Sequence, residues 1–139
     1  MKQEKLASKD VMIGDWILVD KNAWVDDEYD PRCCCTNYQP YLIENGEDID
    51  NVDLGDSPAY GIPITKEIMD KNFESGDGII YTLYRDEEIG EHVFYNMTRQ
   101  SVGYRLDKDS PCSELTDVKY VHELQHILKI IKNDKSIEL

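Results

Sequence analysis

Between residues 79 and 108 three strand-like runs follow one another with little between them: "IIYTLYRD" (79–86), "EHVFYNMTR" (91–99) and "SVGYRLDK" (101–108). β-branched and aromatic residues dominate them, and the connections are short enough for an antiparallel meander. In the first run Ile80, Thr82 and Tyr84 alternate against Ile79, Tyr81 and Leu83. A chain built around such a meander must cover at least one face of it, so the flanking segments have to supply helices or further strands.

They do. "IPITKEIMDKNF" (62–73) offers Thr65 as a cap, Glu67 in the first turn, an apolar side of Ile68 and Met69, and Phe73 at the exit, which reads as a short helix. "KYVHELQHILKIIKN" (119–133) reads as a longer one. At about 100° per residue, Tyr120, Val121, Leu124, Ile127, Leu128 and Ile131 fall on one face and His122, His126 and Lys129 on the other. Upstream, "VMIGDWILVD" (11–20) is a strand interrupted at Gly14, with apolar residues on both faces, and "YQPYLIE" (38–44) is a second strand. "NGED" (45–48) is turn chemistry, and "DIDNVDLGDSPAYG" (48–61) reads as a surface connection or a short edge strand. The run "DSPCS" (109–113) ends the last strand of the meander.

The fold class that follows is α+β. An N-terminal β segment, with a small SH3-like barrel as one form it could take, precedes an antiparallel meander, a short central helix and a C-terminal helix packed on the sheet. With 139 residues a single domain, 1–139, is expected, with sub-regions 8–61 and 62–139, burying roughly two-thirds of the unfolded surface.

Charge narrows the partners. Fifteen Lys and Arg stand against 29 Asp and Glu, a net charge of −14, which repels phosphate backbones and disfavours direct nucleic-acid binding. The densest basic cluster, Lys129, Lys132 and Lys135, is interleaved with apolar residues and ends beside Asp134. The opening "MKQEKLASKDVMIGDW" has no apolar run of a secretory leader, and no stretch approaches the roughly 18 apolar residues of a membrane span. A cytoplasmic location is the default expectation.

Cys33, Cys34 and Cys35 are consecutive and Cys112 stands alone. Adjacent cysteines pair poorly with each other, so partly buried free thiols in a reducing compartment are expected, with a zinc site from Cys33, Cys35, Cys112 and a histidine as the alternative. Asp26, Asp27, Glu28 and Asp30 lack the alternate-position ligands and glycine of an EF-hand loop and read as solvated charge. The nine tyrosines, with Trp16 and Trp24, suit core and cross-strand pairs more than a binding surface. No phosphate-cradling glycine loop and no G-x-S-x-G elbow occurs.

The one catalytic-looking spacing is "HELQH" (122–126). Two histidines at i and i+4 of a helix can hold one Zn²⁺, and Glu123 would act as general base on the metal-bound water. Catalysis needs a third ligand. The longer zinc-peptidase motif would put glycine at 129 and histidine at 132, and both are lysine. The remaining candidates are Asp134, Glu138 and the upstream His92. On the residues alone, metal at His122 and His126 with Glu123 as catalyst is weighed against a solvated helix face, with His122 bonding a neighbouring carbonyl of the first turn. No cofactor is expected; zinc is what the motif would take.

"IGDWILVD", "GIPITKEIM" and "VKYVHELQHIL" together resemble a family of short, uncharacterised proteins of prophages and mobile elements in gut bacteria. That family opens on an I-G-N-W-V-like strand, has an I-P-L-T-x-E-x-L-like helix start and ends in a Y-V-H-x-L-Q-N-L-like helix. Trp16, Pro63, Thr65, Tyr120, Val121, His122, Leu124 and Gln125 fit its pattern, over about a fifth of the chain. The family commonly has Gln where Glu123 stands and Asn where His126 stands, which would make the zinc spacing particular to this chain. Cys33 to Cys35 have no counterpart in the pattern. The resemblance brings no activity; it implies an accessory of a mobile element.

The function expected is a non-enzymatic protein-interaction module that binds a protein partner through a sheet face or edge. The alternatives are a zinc-dependent hydrolase on His122, Glu123 and His126, and an acidic DNA mimic that inhibits a DNA-binding protein.

Overall fold

The structure, a computed structural model, describes residues 5–20, 38–54, 59–131 and 137–139. Cys33 to Cys35, Trp24, the acidic run 26–30 and Lys132, Asp134 and Lys135 lie outside the described residues. Two antiparallel sheets and the helices beside them make an α+β fold, as the sequence pattern implies. The chain divides into two units, Met1–Ile62 and Pro63–Leu139.

In the first unit a 3-10 turn, Ser8–Asp10, precedes strands β1 (Trp16–Asp20) and β2 (Tyr38–Leu42), helix α1 (Gly46–Leu54) and the two-residue strand β3 (Tyr60–Gly61). Gly14 sits at φ 97° in the turn that enters β1, a conformation glycine adopts without penalty. Its amide donates to the Ile43 carbonyl at 2.7 Å. The sheet order is β2-β1-β3. Pro40, which has no amide to donate, lies on the edge strand β2 opposite Leu18. Ile17 and Val19 point into a core with Leu6, Val11, Ile43, Val52 and Ala59. Where an SH3-like barrel was one expectation, the described residues contribute this three-stranded sheet and a helix packed on its core.

Helix α1 corrects the sequence reading, which placed a turn and a surface connection there. Asn45 Oδ1 accepts from Asp48 N at 3.0 Å, the bond an N-terminal cap makes, and Glu47 and Asp48 suit the first turn. Among its described side chains only Ile49 and Val52 give it an apolar side, too little for periodicity to announce a helix. Two acidic residues hold it in place: Asp48 accepts from Tyr41 Oη and Glu44 N, both at 2.9 Å, and Asp53 accepts from Ser8 N and Oγ at 2.9 and 2.6 Å.

The second unit holds helix α2 (Lys66–Asn72), strands β4 (Ile80–Asp86), β5 (Glu91–Asn96), β6 (Ser101–Arg105) and β7 (Ser113–Asp117), and helix α3 (Val121–Ile130). The meander runs β4-β5-β6-β7. Its fourth strand begins where "DSPCS" was expected to end the sheet. All five of its residues are exposed and Leu115 alone is large and apolar, so it joins through backbone bonds that leave no hydrophobic signature. Thr65 caps α2 as expected, its Oγ1 accepting from Ile68 N at 3.3 Å.

Strand β4 does not alternate strictly. Thr82 pairs with Phe94 but Tyr84 pairs with Val93, so Leu83 is the extra residue of a β-bulge. Tyr84 therefore turns to the same side as Tyr81 rather than joining Thr82.

Both helices cover that one side. Tyr81 Oη donates to Asp70 of α2, Tyr95 Oη donates to the Val118 carbonyl at 2.8 Å, and Ile130 and Ile131 border Tyr84, Val93 and Tyr104. Val121, Leu124 and Leu128 are buried. The opposite face of the sheet carries Thr82, Arg85, His92, Phe94, Gly103 and Arg105 by register. Asn72 ties in the chain's last described stretch, pairing with both the amide and the carbonyl of Glu138 at 2.7 Å.

Candidate functional site

Two places in the second unit merit attention: the "HELQH" helix and the helix-free face of the meander. Helix α3 begins at Val121 because Tyr120 stays extended; the Lys119 carbonyl accepts from Ile64 N at 3.0 Å and Tyr120 bridges to Pro63. Glu123 is the third helical residue. Its Oε1 reaches back to accept from the amides of Lys119 and Tyr120, both at 3.1 Å, satisfying donors that precede the first turn. The carboxylate that would serve as general base thus holds the helix's own entry.

The structure does bring His122 and His126 together, with ring centroids 5.9 Å apart and edge to face. His122 also stacks on Tyr120 at 5.9 Å. The solvated face expected of His122, His126 and Lys129 forms only in part, with Lys129 exposed and His126 half-buried. His122 is 4% exposed and Gln125 is 9% exposed, because the buried arc of α3 extends beyond the apolar stripe to the neighbouring polar positions. His92, offered as an upstream ligand, lies on the face of the sheet turned away from α3. Glu138 meets Asn72 through its backbone, and Asp134 lies outside the described residues. Among the described residues no three His, Cys, Asp or Glu side chains converge as a metal site. Cys112 is an exposed free thiol.

The face without helices has more chemistry than its sequence suggests. Arg85, His92 and Arg105 stand directly opposite one another on β4, β5 and β6, a row with a guanidinium on either side of an imidazole in an acidic chain. His92 Nε2 lies 3.1 Å from Thr82 Oγ1, and its ring is 5.2 Å from that of Phe94. Partial burial, followed by the charges of Arg85 and Arg105, pushes the His92 imidazole below its ordinary 6.5, so it is neutral at neutral pH. Arg105 Nε donates to the Gly90 carbonyl at 3.3 Å. Gly90 sits at φ 84° under Lys108, where a side chain would collide with the lysine backbone and stem.

Beside the row, Phe94 lies across Gly103; a Cβ at Gly103 would overlap the ring. Phe94 and Gly103 also border a shallow cavity of about 150 Å³ with Asn96, Cys112 and the Arg99–Glu114 ion pair, whose charged atoms are 3.9 Å apart. No sequence motif marks this face. The signal that could have found it was the cross-strand Phe–Gly pairing and three basic side chains at matching positions of consecutive strands.

Comparison with protein-family models, curated proteins and solved structures found no match. No helix among the described residues is long and apolar enough to cross a membrane.

Proposed function

We propose that this chain is a non-enzymatic protein-interaction module, an accessory of a prophage or mobile element, that engages a protein partner through the open face of the meander. The mobile-element context rests on the motif resemblance. The observation that carries the rest is the layering of the second unit: α2 and α3 lie on one side of the sheet, and Phe94, Thr82 and a basic row stand on the other. An aromatic ring amid polar and charged side chains suits the centre of a protein contact.

The test places a photoreactive side chain at Thr82 or Phe94, and at Leu115 on β7 as a comparison. Cross-links to one partner from 82 and 94 support the face. Cross-links from 115 alone would move the contact to the sheet edge and sink this reading.

The closeness of the His122 and His126 rings favours one second reading, a zinc-dependent hydrolase. It predicts near-stoichiometric zinc in chelator-free protein, lost in His126→Asn. Glu123 bound to two backbone amides weighs against it. The DNA-mimic reading needs rows of outward carboxylates, and in α1 Asp48 and Asp53 are turned to bonds within their own unit.

A further inference from the structure

We propose that the row Arg85–His92–Arg105 is a carboxylate-recognition site for a short acidic segment of a protein partner, with the cavity beside Phe94 taking the segment's neighbouring apolar side chain. This deepens the proposed function and rests on the open face being the contact surface.

The register fixes the geometry. Strands lie about 4.8 Å apart, so three side chains at directly opposed positions form a ladder across β4, β5 and β6 on one face. Two guanidiniums flank an imidazole that Thr82 orients. Arginine's planar fork matches a carboxylate in two-pronged fashion, and a ladder of this width accommodates carboxylates borne by neighbouring side chains.

Three acids near the row, among the described residues, are bonded elsewhere. Glu91 points to the helix-covered side, where its Oε2 accepts from Tyr104 Oη at 3.2 Å. Asp86 Oδ1 accepts from Glu88 N at 3.0 Å. Asp107 accepts from Asp109 N at 2.9 Å and is held below the usual carboxylate range mainly by the Ser110 hydroxyl, then by backbone amides, with the Arg105 charge the smallest contribution.

Charge and shape together select the ligand class. A net charge of −14 repels a long polyanion such as nucleic acid, leaving short segments that bring only one or two charges to a local basic row. Phe94 touches both the His92 ring and the cavity of about 150 Å³, so an apolar residue next to the acidic one has a place to sit. Binding is linked to protons. The groups facing His92 from β4 and β6 are the two arginines, which disfavour its charged form; a carboxylate set among the three favours it. The segment therefore binds more tightly as pH falls below neutrality.

The experiment uses the full chain and a short capped peptide in which two glutamates flank a leucine, followed by NMR of the His92 imidazole and by titration calorimetry. The peptide should move the His92 midpoint upward. Arg105→Gln should weaken binding about tenfold, as expected when one charge-assisted contact is lost, and Arg85→Gln should do likewise. Arg105→Lys, which keeps the charge but loses the fork, should weaken it less. An unmoved midpoint, or affinity indifferent to both arginines, overturns the proposal. So does inorganic phosphate moving the midpoint as far as the peptide at equal concentration, because the site would then be a general anion sink. If the Phe94 cross-link to a partner survives in the Arg85→Gln, Arg105→Gln double variant, the open face stands as the contact and the carboxylate assignment alone fails.

Discussion

Helix α3 and the open face of the meander make opposite impressions in sequence and in space. The helix carries the most eye-catching spacing in the chain, yet its glutamate is bound to the amides of Lys119 and Tyr120 and its first histidine is buried. The open face carries no motif at all, yet register assembles there a basic row, an oriented imidazole and an aromatic ring beside a cavity. A motif reports spacing along one element. Function needs convergence between elements, and only pairing across strands supplies it.

The contrast can be sharpened by stability measurements, beginning with the helix. Leu124 is fully buried, and Leu124→Ala should cost about 2–5 kcal/mol in urea unfolding. A smaller cost would mean that α3 is not the sheet's cover, and the distinction between the two faces would collapse. On the open face, Gly103→Ala should cost about 1–3 kcal/mol through collision with the Phe94 ring, and most of that cost should vanish in a Phe94→Ala background. Additive effects would mean that the ring does not lie over the glycine.

Next in size is the carboxylate of the motif. Glu123→Ala should lower stability by about 0.5–1 kcal/mol, the worth of a helix-entry hydrogen bond, with an unchanged dependence on denaturant. A catalytic role alone would leave stability untouched. The smallest effect concerns pH. His92 is held below 6.5 in the folded chain, so between its folded value and 6.5 the unfolded state binds more protons. Stability should therefore fall as pH drops through that window and be restored above it. His92→Gln should flatten this part of the pH profile; an unchanged profile would show that the arginines and burial do not act on the ring.

What the sequence disclosed were features that local chemistry specifies. The alternating runs gave the meander, Thr65 marked the start of α2, and the stripe of Val121, Leu124 and Leu128 picked out the buried side of α3. It concealed what tertiary partners decide. Helix α1 has three apolar residues against four acidic ones, and its stability depends on Asp53 reaching Ser8 and Asp48 reaching Tyr41. Strand β7 is exposed along its whole length and is ordered by its neighbour's backbone. The burial of His122 follows from what surrounds the helix, which a helical wheel does not include. The basic row depends on matching Arg85, His92 and Arg105 across two turns, one of which closes over Gly90.

The bulge at Leu83 adds a consequence for how this molecule can change over generations. Counting by twos from Thr82 would send Tyr84 outward and Arg85 under the helices; the additional residue reverses that parity for everything that follows in β4. The outward arginine thus depends on the bulge absorbing Leu83 as much as on side-chain identity. Loss of the Leu83 codon would straighten the strand yet keep Tyr84 under the helices and Arg85 outward, because Thr82, Tyr84 and Arg85 would then pair in unbroken alternation with Phe94, Val93 and His92, so this face survives a deletion at the bulge.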